Sequence, residues 1–386
     1  MIEFQVDEDT EVLLTTVRGL MSRYGESYWN RTDERREFPE EFVREFMELG
    51  LGGLLIPEEY GGGGRGTREA SLLLREINLL GGNSYFVHGQ YYLTSMLRKC
   101  ANERLKERWF PSIAKGTRVM TLALTEQESG SDSTRMRTFA ERKGGKFVVK
   151  GRKVFSSRLG HTDLMVLAAR TRRLEDVEKK TDGITLFLVN LREAKGLEYD
   201  EIRTMSNTDV YEVHVDGLEV GEEDVVGEVD KGFPCLVAAL NAERVMIAGE
   251  LLGNARWFVR KASEYARERF VFGKPIGANQ GVQFPIADVY ARTVAVEHLF
   301  RRALEVVDGV DQNLSGEYAT MVKYLAAEVA WDAANVAMDV HGGYGYASSG
   351  VERKFRETRL YKVAPVSQNM ALAFLATHAL DLPKSY

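Results

Sequence analysis

The chain has 386 residues, more than a single hydrophobic core usually accommodates, so two or three domains are expected. Apolar residues make up 44% and charged residues 28%, which is the composition of an ordinary globular protein and not of a disordered or fibrous one. The formal net charge of −6 argues against a nucleic-acid partner, because binding phosphates requires a basic face.

The cysteine count and the N-terminal sequence bear on the compartment. Cys100 and Cys235 are the only two cysteines, so we expect no disulfide scaffold and a reducing, cytoplasmic location. Residues 1–10 are acidic and lack the basic and apolar segments of a secretory signal, and no apolar run is long enough to span a bilayer. We therefore predict no membrane span, and no metal site is predicted either.

The first third of the chain has helical periodicity. Helices are predicted over residues 10–24, 39–49, 69–77 and 91–110. The clearest of them, residues 39–49, begins at Pro39 and places Phe42, Phe46 and Leu49 on one face. Residues 1–120 are therefore predicted to form an α-helical domain.

The middle of the chain has the patterns of β-strands. Gly144-Gly145 predicts a hairpin turn between strands 138–141 and 146–150. Further strands are predicted over residues 164–169, 184–189 and 211–215. Short strands with turn residues at regular spacing favour a small antiparallel barrel or sandwich, here within residues 121–228.

The last third, residues 229–386, returns to helical periodicity. Long helices with apolar residues on one face, as in a bundle, are predicted over residues 243–268, 285–307, 319–340 and 366–380.

His88 is predicted to lie between the helical stretches of the first domain. A lone histidine at such a place is more typical of a structural residue than of a catalyst.

One stretch at the junction of the first two domains carries the strongest signal, Leu122-Ala-Leu-Thr-Glu-Gln-Glu-Ser-Gly-Ser-Asp132. Its spacing alone is typical of a strand leading into a turn, although small residues also let a flat cofactor or a phosphate approach the main chain. The stretch resembles the first sequence signature of the acyl-CoA dehydrogenase family, a Thr-Glu pair followed by Gly-Ser-Asp. Further matches follow in family order along nearly the whole chain.

The resemblance implies a mainly α fold with a central β domain: a helical start, a β-barrel or sandwich, and a four-helix bundle. It implies FAD bound between the β domain and the bundle, usually in a homotetramer or a dimer. It also implies an acyl-CoA substrate and an electron-transfer flavoprotein as the electron acceptor. In the first signature, the implied cofactor contacts are Leu122, Leu124, Thr125 and Ser131, and Ser131 is also implied in substrate binding.

Three more motifs imply flavin contacts. In Lys153-Val-Phe-Ser-Ser-Arg158, Phe155 and Ser157 stand where the family has Trp-x-Thr, so the hydroxyl is kept and the ring is smaller. The stretch from Arg269 to Gln280 matches the family pattern Arg-x-x-Phe-Gly followed by Gln. Implied FAD contacts, some of them across a subunit interface, are Arg269, Phe272 and Gln280. A guanidinium suits a pyrophosphate because it offers a planar fork of donors.

The second family signature is matched by Asp339-Val-His-Gly-Gly-Tyr-Gly-Tyr346, where Asp339 replaces a frequent Gln. Asp339, Gly342 and Gly343 are implied cofactor contacts, whereas His341 stands at a variable place and is given no role. Ser367 is a further implied cofactor contact.

The loop that usually carries the catalytic base departs from the family. Ala364-Pro-Val-Ser367 stands where most members have Tyr-Glu-Gly-Thr, and Pro365 cannot accept a proton. A minority of the family carries the base on a bundle helix, and Glu243 falls on that position, with Asn241 and Arg244 implied in substrate binding. If this helix lines the acyl pocket, desolvation would raise the pKa of Glu243 towards the range useful for a base.

Three functions remain open from the sequence. The first is α,β-dehydrogenation of an acyl-CoA thioester, in which Glu243 removes the proton and flavin takes the hydride. The second is a flavoprotein of the same fold that performs enoyl-CoA reduction or elimination, and the third is a non-catalytic acyl-CoA or flavin binding protein. For Glu243 itself, the alternative to a base is a surface glutamate paired with a neighbouring arginine. Pro365 favours a branched, cyclic or otherwise atypical acyl group.

Overall fold

The computed structural model of the chain describes residues 6–309, 311–347 and 349–384. The N-terminal part is helical, the middle part is a β-sheet and the C-terminal part is helical again. This order confirms the predicted fold class. The domain bounds at residues 120/121 and 228/229 stay a prediction.

The N-terminal helices are α1 (Glu8–Met21), α2 (Glu26–Arg35), α3 (Glu40–Glu48), α4 (Thr67–Leu79), α5 (Tyr85–Cys100) and α6 (Glu103–Ala114). The single helix predicted over residues 91–110 is wrong. The chain is extended at Ala101, and Asn102 caps α6 by accepting a hydrogen bond from the Leu105 amide at 2.9 Å. Helix α2 was not predicted because it is polar and buries few residues, Tyr28, Trp29 and Thr32.

The middle part forms one sheet from β1 (Met120–Ala123), β2 (Phe139–Lys143), β3 (Lys146–Ser157), β4 (Leu164–Arg170), β5 (Ile184–Asn190), β6 (Leu197–Ile202), β7 (Val210–Gly221) and β8 (Val225–Val226). Gly144 and Gly145 both have positive φ and form the predicted turn between β2 and β3. Strands β1 and β2 each pair with β4 in parallel, so the sheet is mixed and not purely antiparallel as predicted. Because β1 and β4 run in the same direction, the chain must return to the end of the sheet where β1 began. The segment that contains the β2–β3 hairpin makes this return.

The C-terminal helices are α7 (Phe233–Glu268), α8 (Gln280–Val306), α9 (Gln312–His341), α10 (Gly343–Tyr346), α11 (Gly350–Arg359) and α12 (Gln368–His378). A short hairpin, β9 (Phe270–Val271) and β10 (Lys274–Pro275), follows α7. Helices α7, α8 and α9 pack on one another and α12 packs on α9, as expected for a bundle.

Helix α7 is shared between two hydrophobic cores. Leu236 and Met246 pack with the N-terminal helices and one face of the sheet, whereas Val245 and Leu252 pack with α8 and α9. The segment of α7 around Val245 and Met246, which includes Glu243, therefore lies where the two cores meet.

The two cysteines correct one expectation. Cys100, at the end of α5, and Cys235, in the first turn of α7, form a disulfide with their Cα atoms 6.1 Å apart. Their separation of 135 residues carries no pairing signal, because the contact depends on α7 returning to the end of α5. The cytoplasmic location inferred from the cysteines stays a prediction. None of the described helices combines the length and the apolar composition needed to cross a bilayer.

Candidate active site

Glu243 is a buried carboxyl group in the N-terminal third of α7. It is 7% exposed, and its side chain makes no hydrogen bond or ion pair with the described residues. Burial raises the pKa of Glu243 to about 7, while the nearby His88 lowers it and Glu250 raises it by smaller amounts. Near neutral pH this carboxyl group can therefore both hold and accept a proton.

Glu250, seven residues further along α7, has the opposite environment. Its carboxylate accepts from Tyr361 Oη at 2.5 Å and lies 3.0 Å from His88 Nδ1. Burial alone would raise the pKa of Glu250, but His88 and these hydrogen bonds hold it below its ordinary value. Glu250 and His88 thus satisfy each other in the interior, which agrees with a structural role for His88. The pKa values of these two carboxyl groups of one helix are therefore shifted in opposite directions.

Arg244 and Asn241 are residues of α7 whose side chains face α9. Arg244 Nη1 donates to Thr320 Oγ1 of α9 at 2.6 Å, while its buried Nε has no partner among the described residues. Asn241 is buried, close to Gly316 of α9. Glu243 is therefore not the surface residue in a Glu–Arg pair that the sequence left open.

The segment of residues 364–368, which the sequence comparison sets in place of the usual catalytic loop, is held by a lysine of α9. Lys323 is fully buried and donates from Nζ to the Val366 carbonyl at 2.6 Å and to Gln368 Oε1 at 3.3 Å. Burial lowers the pKa of Lys323 to about 8. Ser367 caps α12, because its Oγ accepts from the Met370 amide at 3.3 Å. This side of the site supplies donors and main-chain atoms, and Pro365 adds no proton acceptor.

The first signature leaves β1 and is tied to β3. Leu122 lies in β1, and Leu124 and Thr125 follow it, all three half-buried. The Thr125 carbonyl accepts from the Val154 amide at 2.8 Å. Lys153 Nζ donates to the Leu124 carbonyl at 2.9 Å and to Glu126 Oε1 at 2.8 Å. This buried ion pair fixes the course of the signature.

Ser131 is exposed, further along the same signature. Its side chain is accessible to a ligand. It is also separate from the Lys153–Glu126 ion pair that fixes the main chain around Thr125.

The end of β3 carries an exposed aromatic ring and a hydroxyl. Phe155 is 60% exposed and has a φ of 58°, an uncommon conformation for a bulky residue. Ser157 is half-buried, and its Oγ accepts from Tyr85 Oη of α5 at 2.7 Å. Ser157 therefore lies between α5 and the sheet.

A second group of predicted cofactor residues lies elsewhere. An open groove of about 480 Å³ between the end of α7 and the end of α9 is lined by Arg269, Gly342 and Gly343, together with Tyr265 and His341. The Arg269 guanidinium makes no hydrogen bond or ion pair with the described residues. His341 stacks on Tyr265 at 4.4 Å and its Nδ1 lies 2.7 Å from the Ala337 carbonyl, which suits the absence of a predicted role.

The other predicted contacts of the C-terminal motifs are exposed residues that do not line the groove. Phe272 is fully exposed at the tip of the β9–β10 hairpin, Gln280 begins α8, and Asp339 is an exposed residue of α9. The groove lining includes none of the predicted residues of the β domain. The predicted cofactor residues of the β domain, here called the first group, are therefore apart from the groove lining, here with its neighbours called the second group, and Ser367 at the start of α12 is not part of that lining either.

Sequence reasoning gave no role to four residues that the structure places in contact with this region: Tyr85, Lys323 and Tyr361, described above, and Arg158, which donates to the Tyr85 carbonyl. Lys323 has a detectable signal, because it shares a helical face with the buried Ala319, Ala326 and Ala330, and a lysine on an apolar face is uncommon. The others depend on contacts between distant segments, for which the sequence holds no signal.

Comparisons with known proteins cover nearly the whole chain. Family models described as the N-terminal, middle and C-terminal domains of acyl-CoA dehydrogenase match residues 7–117, 121–218 and 230–380. Acyl-CoA dehydrogenase FadE12 of Mycobacterium tuberculosis is 32% identical over 389 aligned positions that cover 99% of each chain. The 3-(aryl)acrylate reductase of Clostridium sporogenes is 28% identical and covers 95% of this chain and 98% of its own.

The fold agrees with these matches. The solved structure of a glutaryl-coenzyme A dehydrogenase in complex with glutaryl-CoA superimposes with a TM-score of 0.92 at 27% identity, over 100% of this chain and 98% of the other. With the three-part architecture and the matched motifs, these similarities identify the chain as an oxidoreductase that belongs to the acyl-CoA dehydrogenase family.

Proposed function

We propose that the protein is an FAD-dependent dehydrogenase of an acyl-CoA thioester in which Glu243 removes the α-proton. The observation that carries this proposal is the state of Glu243: buried, free of hydrogen bonds to the described residues, and with a pKa raised to about 7. A general base works best when its pKa lies near the working pH, and hydrogen bonds that stabilise the charged form of a carboxylate lower its pKa.

The proposed roles of the other residues follow from their positions. Arg244 and Asn241 flank Glu243 and orient the thioester, and the Arg244 Nε is a donor without a partner among the described residues. The low exposure of Glu243 keeps water from its carboxylate, so that the abstracted proton stays on Oε. FAD, when bound, supplies the hydride acceptor.

The residues present fit FAD in their chemistry. The first group, in the β domain, offers an exposed ring at Phe155, the Ser157 hydroxyl and the main chain after Leu124. The second group offers the Arg269 guanidinium beside the main chain of Gly342 and Gly343, which suits a pyrophosphate.

Because the groove that holds the second group is lined by no residue of the first, we propose that one FAD is bound by the first group of one subunit and the second group of another. The exposed apolar residues of the β9–β10 hairpin, Phe270, Val271 and Phe272, support this arrangement, because adjacent exposed apolar residues are typical of an interaction surface. A homotetramer, or at least a dimer, is the assembly proposed. A cytoplasmic location and an electron-transfer flavoprotein as acceptor remain proposals that rest on the family.

Reduction of an enoyl-CoA is the second candidate. A relative named as a reductase, 28% identical over nearly its full length, favours it. The same buried carboxyl group would then deliver a proton to Cα, which its pKa of about 7 also allows.

The test is the visible spectrum of the purified protein during anaerobic titration with saturated and α,β-unsaturated thioesters, including branched, cyclic and aryl-substituted acyl groups. We expect one saturated thioester to bleach the flavin absorbance. Glu243→Gln should abolish the bleaching while Glu264→Gln, a half-buried residue of the same helix, should retain it. Bleaching that persists in Glu243→Gln would exclude this residue as the base, and a wild-type flavin that no saturated thioester bleaches would favour the reductase.

A further inference from the structure

Tyr85 connects α5 to the end of β3 through a single hydrogen bond. Its hydroxyl donates to Ser157 Oγ at 2.7 Å. Burial raises the pKa of Tyr85 to about 12, so the hydroxyl keeps its proton at neutral pH and remains a donor. This contact therefore determines which further hydrogen bonds the Ser157 hydroxyl can make.

A serine hydroxyl has one proton to donate and two lone pairs that accept. Ser157 accepts from Tyr85, and its own proton has no acceptor among the described residues. Ser157 is half-buried, two residues after the exposed Phe155. Its proton is therefore available to a ligand that lies along this end of β3.

The first turn of α5 is held in place by Arg158. This side chain is 1% exposed; its Nη1 donates to the Tyr85 carbonyl, and its guanidinium carbon lies 5.7 Å from the centre of the Tyr85 ring. Gly89 makes room for it, because a Cβ at position 89 would lie 1.9 Å from Arg158 Nη2. Tyr85 is thus fixed from both its main chain and its ring.

We propose that Tyr85 is a positioning residue of the reaction: by occupying an acceptor site of Ser157, it fixes the Ser157 hydroxyl as a hydrogen-bond donor to the flavin. A donor held in one orientation needs no reorganisation when the ligand binds. The inference rests on the proposed function, since it requires that flavin binds beside Ser157. Tyr85 acts through Ser157 and need not touch the flavin or the substrate.

The experiment compares Tyr85→Phe, Ser157→Ala and the double variant as FAD-loaded proteins. Loss of one neutral hydrogen bond corresponds to a change of up to about tenfold, so we expect flavin reduction by a saturated thioester to slow by about that factor in Tyr85→Phe. Tyr85→Phe should also reproduce part of the change that Ser157→Ala makes in the flavin spectrum and midpoint potential, which a merely structural residue would leave unmoved.

The double variant decides whether the two residues act together. If Tyr85 acts through Ser157, adding Tyr85→Phe to Ser157→Ala should have no further effect, whereas independent effects would overturn the inference. The matched control is Tyr91→Phe, which removes a tyrosine hydroxyl of the same helix that donates to the Leu51 carbonyl at 2.9 Å. It should leave the flavin spectrum and potential unchanged.

Two further outcomes are separable. A wild-type protein that binds no flavin would refute the proposed function, whereas a flavin whose spectrum and potential are the same in Tyr85→Phe would refute only the role of Tyr85. If Tyr85→Phe does not retain FAD, 3-fluorotyrosine at position 85 keeps the packing and makes the hydroxyl a stronger donor. Its potential should then move opposite to that of Ser157→Ala, and an unmoved potential would overturn the inference.

Discussion

Replacing Glu243 by glutamine should stabilise the protein while abolishing its activity. The native state holds the Glu243 proton more tightly than the unfolded chain does, because burial raises the pKa from 4.5 to about 7. Between these two pH values the native state binds more protons, so the stability of the wild-type protein falls as pH rises through this window. Glutamine is neutral at every pH, so the free energy of unfolding of the variant does not fall in this window.

The size of the effect follows from the same values. The rise from 4.5 to about 7, at about 1.36 kcal/mol for each pH unit, corresponds to about 3 kcal/mol above pH 7. An unfolding entropy of about 2.1 cal/mol/K per residue gives roughly 0.8 kcal/mol/K for a chain of this length. Glu243→Gln should therefore melt about 4 °C above the wild type at pH 8.5 and at nearly the same temperature at pH 4.5.

The assay is calorimetry of both proteins with saturating FAD across this pH range. Glu250→Gln is the control with the opposite sign, because hydrogen bonds and His88 hold the pKa of Glu250 below its ordinary value. Its contribution to stability is present at neutral pH and is lost as pH falls, so Glu250→Gln should be destabilising at pH 8.5 and less so in acid. A melting difference for Glu243→Gln that does not vary with pH would show that this carboxyl group is hydrated, and the argument for its role as base would fail.

Two further predictions concern the rate and the packing. The rate of flavin reduction at saturating thioester should rise with pH to a plateau with a midpoint near pH 7, since Glu243 must be ionised to accept the proton. Stopped-flow measurement of this rate from pH 5.5 to 8.5 tests the prediction. A rate that does not change over this range would contradict the assignment of Glu243 as the base. Gly89→Ala should lower the free energy of unfolding, measured by chemical denaturation, by about 1–3 kcal/mol, because the added Cβ would collide with the buried Arg158. Gly19→Ala in α1 is the control. A Cβ there meets nothing within 4 Å, so this variant should be neutral or stabilised by up to about 1 kcal/mol. Equal effects of the two changes would contradict the packing around Arg158.

Local signals predict much of the fold. The apolar stripe of α3 and the Gly144–Gly145 turn depend on residues close in sequence, and both are where the sequence predicts them. The parallel pairing of β1 with β4 and the disulfide between Cys100 and Cys235 depend on how distant segments return to one another. No periodicity reports such contacts, which is why those two expectations needed correction.

The site divides in the same way. The motifs single out Glu243 and Arg269, because ligand chemistry demands particular side chains at particular places, and their contacts with a ligand stay predictions. In the structure, neither side chain makes a hydrogen bond or ion pair with the described residues. The motifs did not predict Tyr85 or Arg158, whose roles depend on the packing of α5 against the end of β3. Glu250 was also missed, since a glutamate on a long helix has the same local signal whether it is exposed or buried beside His88.

The choice of base can be argued from which carboxylates are already engaged. Glu250 accepts a hydrogen bond from Tyr361 and pairs with His88, and Glu328 of α9 accepts from Lys362 and Gln368, so the pKa of each is held below its ordinary value. A carboxylate whose lone pairs and charge are so satisfied is a poor proton acceptor. The loop around Pro365 contributes no carboxylate of its own. Glu243 differs from Glu250 and Glu328 because it is buried without such a partner among the described residues. The desolvation that makes its charge costly in the resting protein would, in the proposed reaction, also give it the basicity that proton abstraction requires.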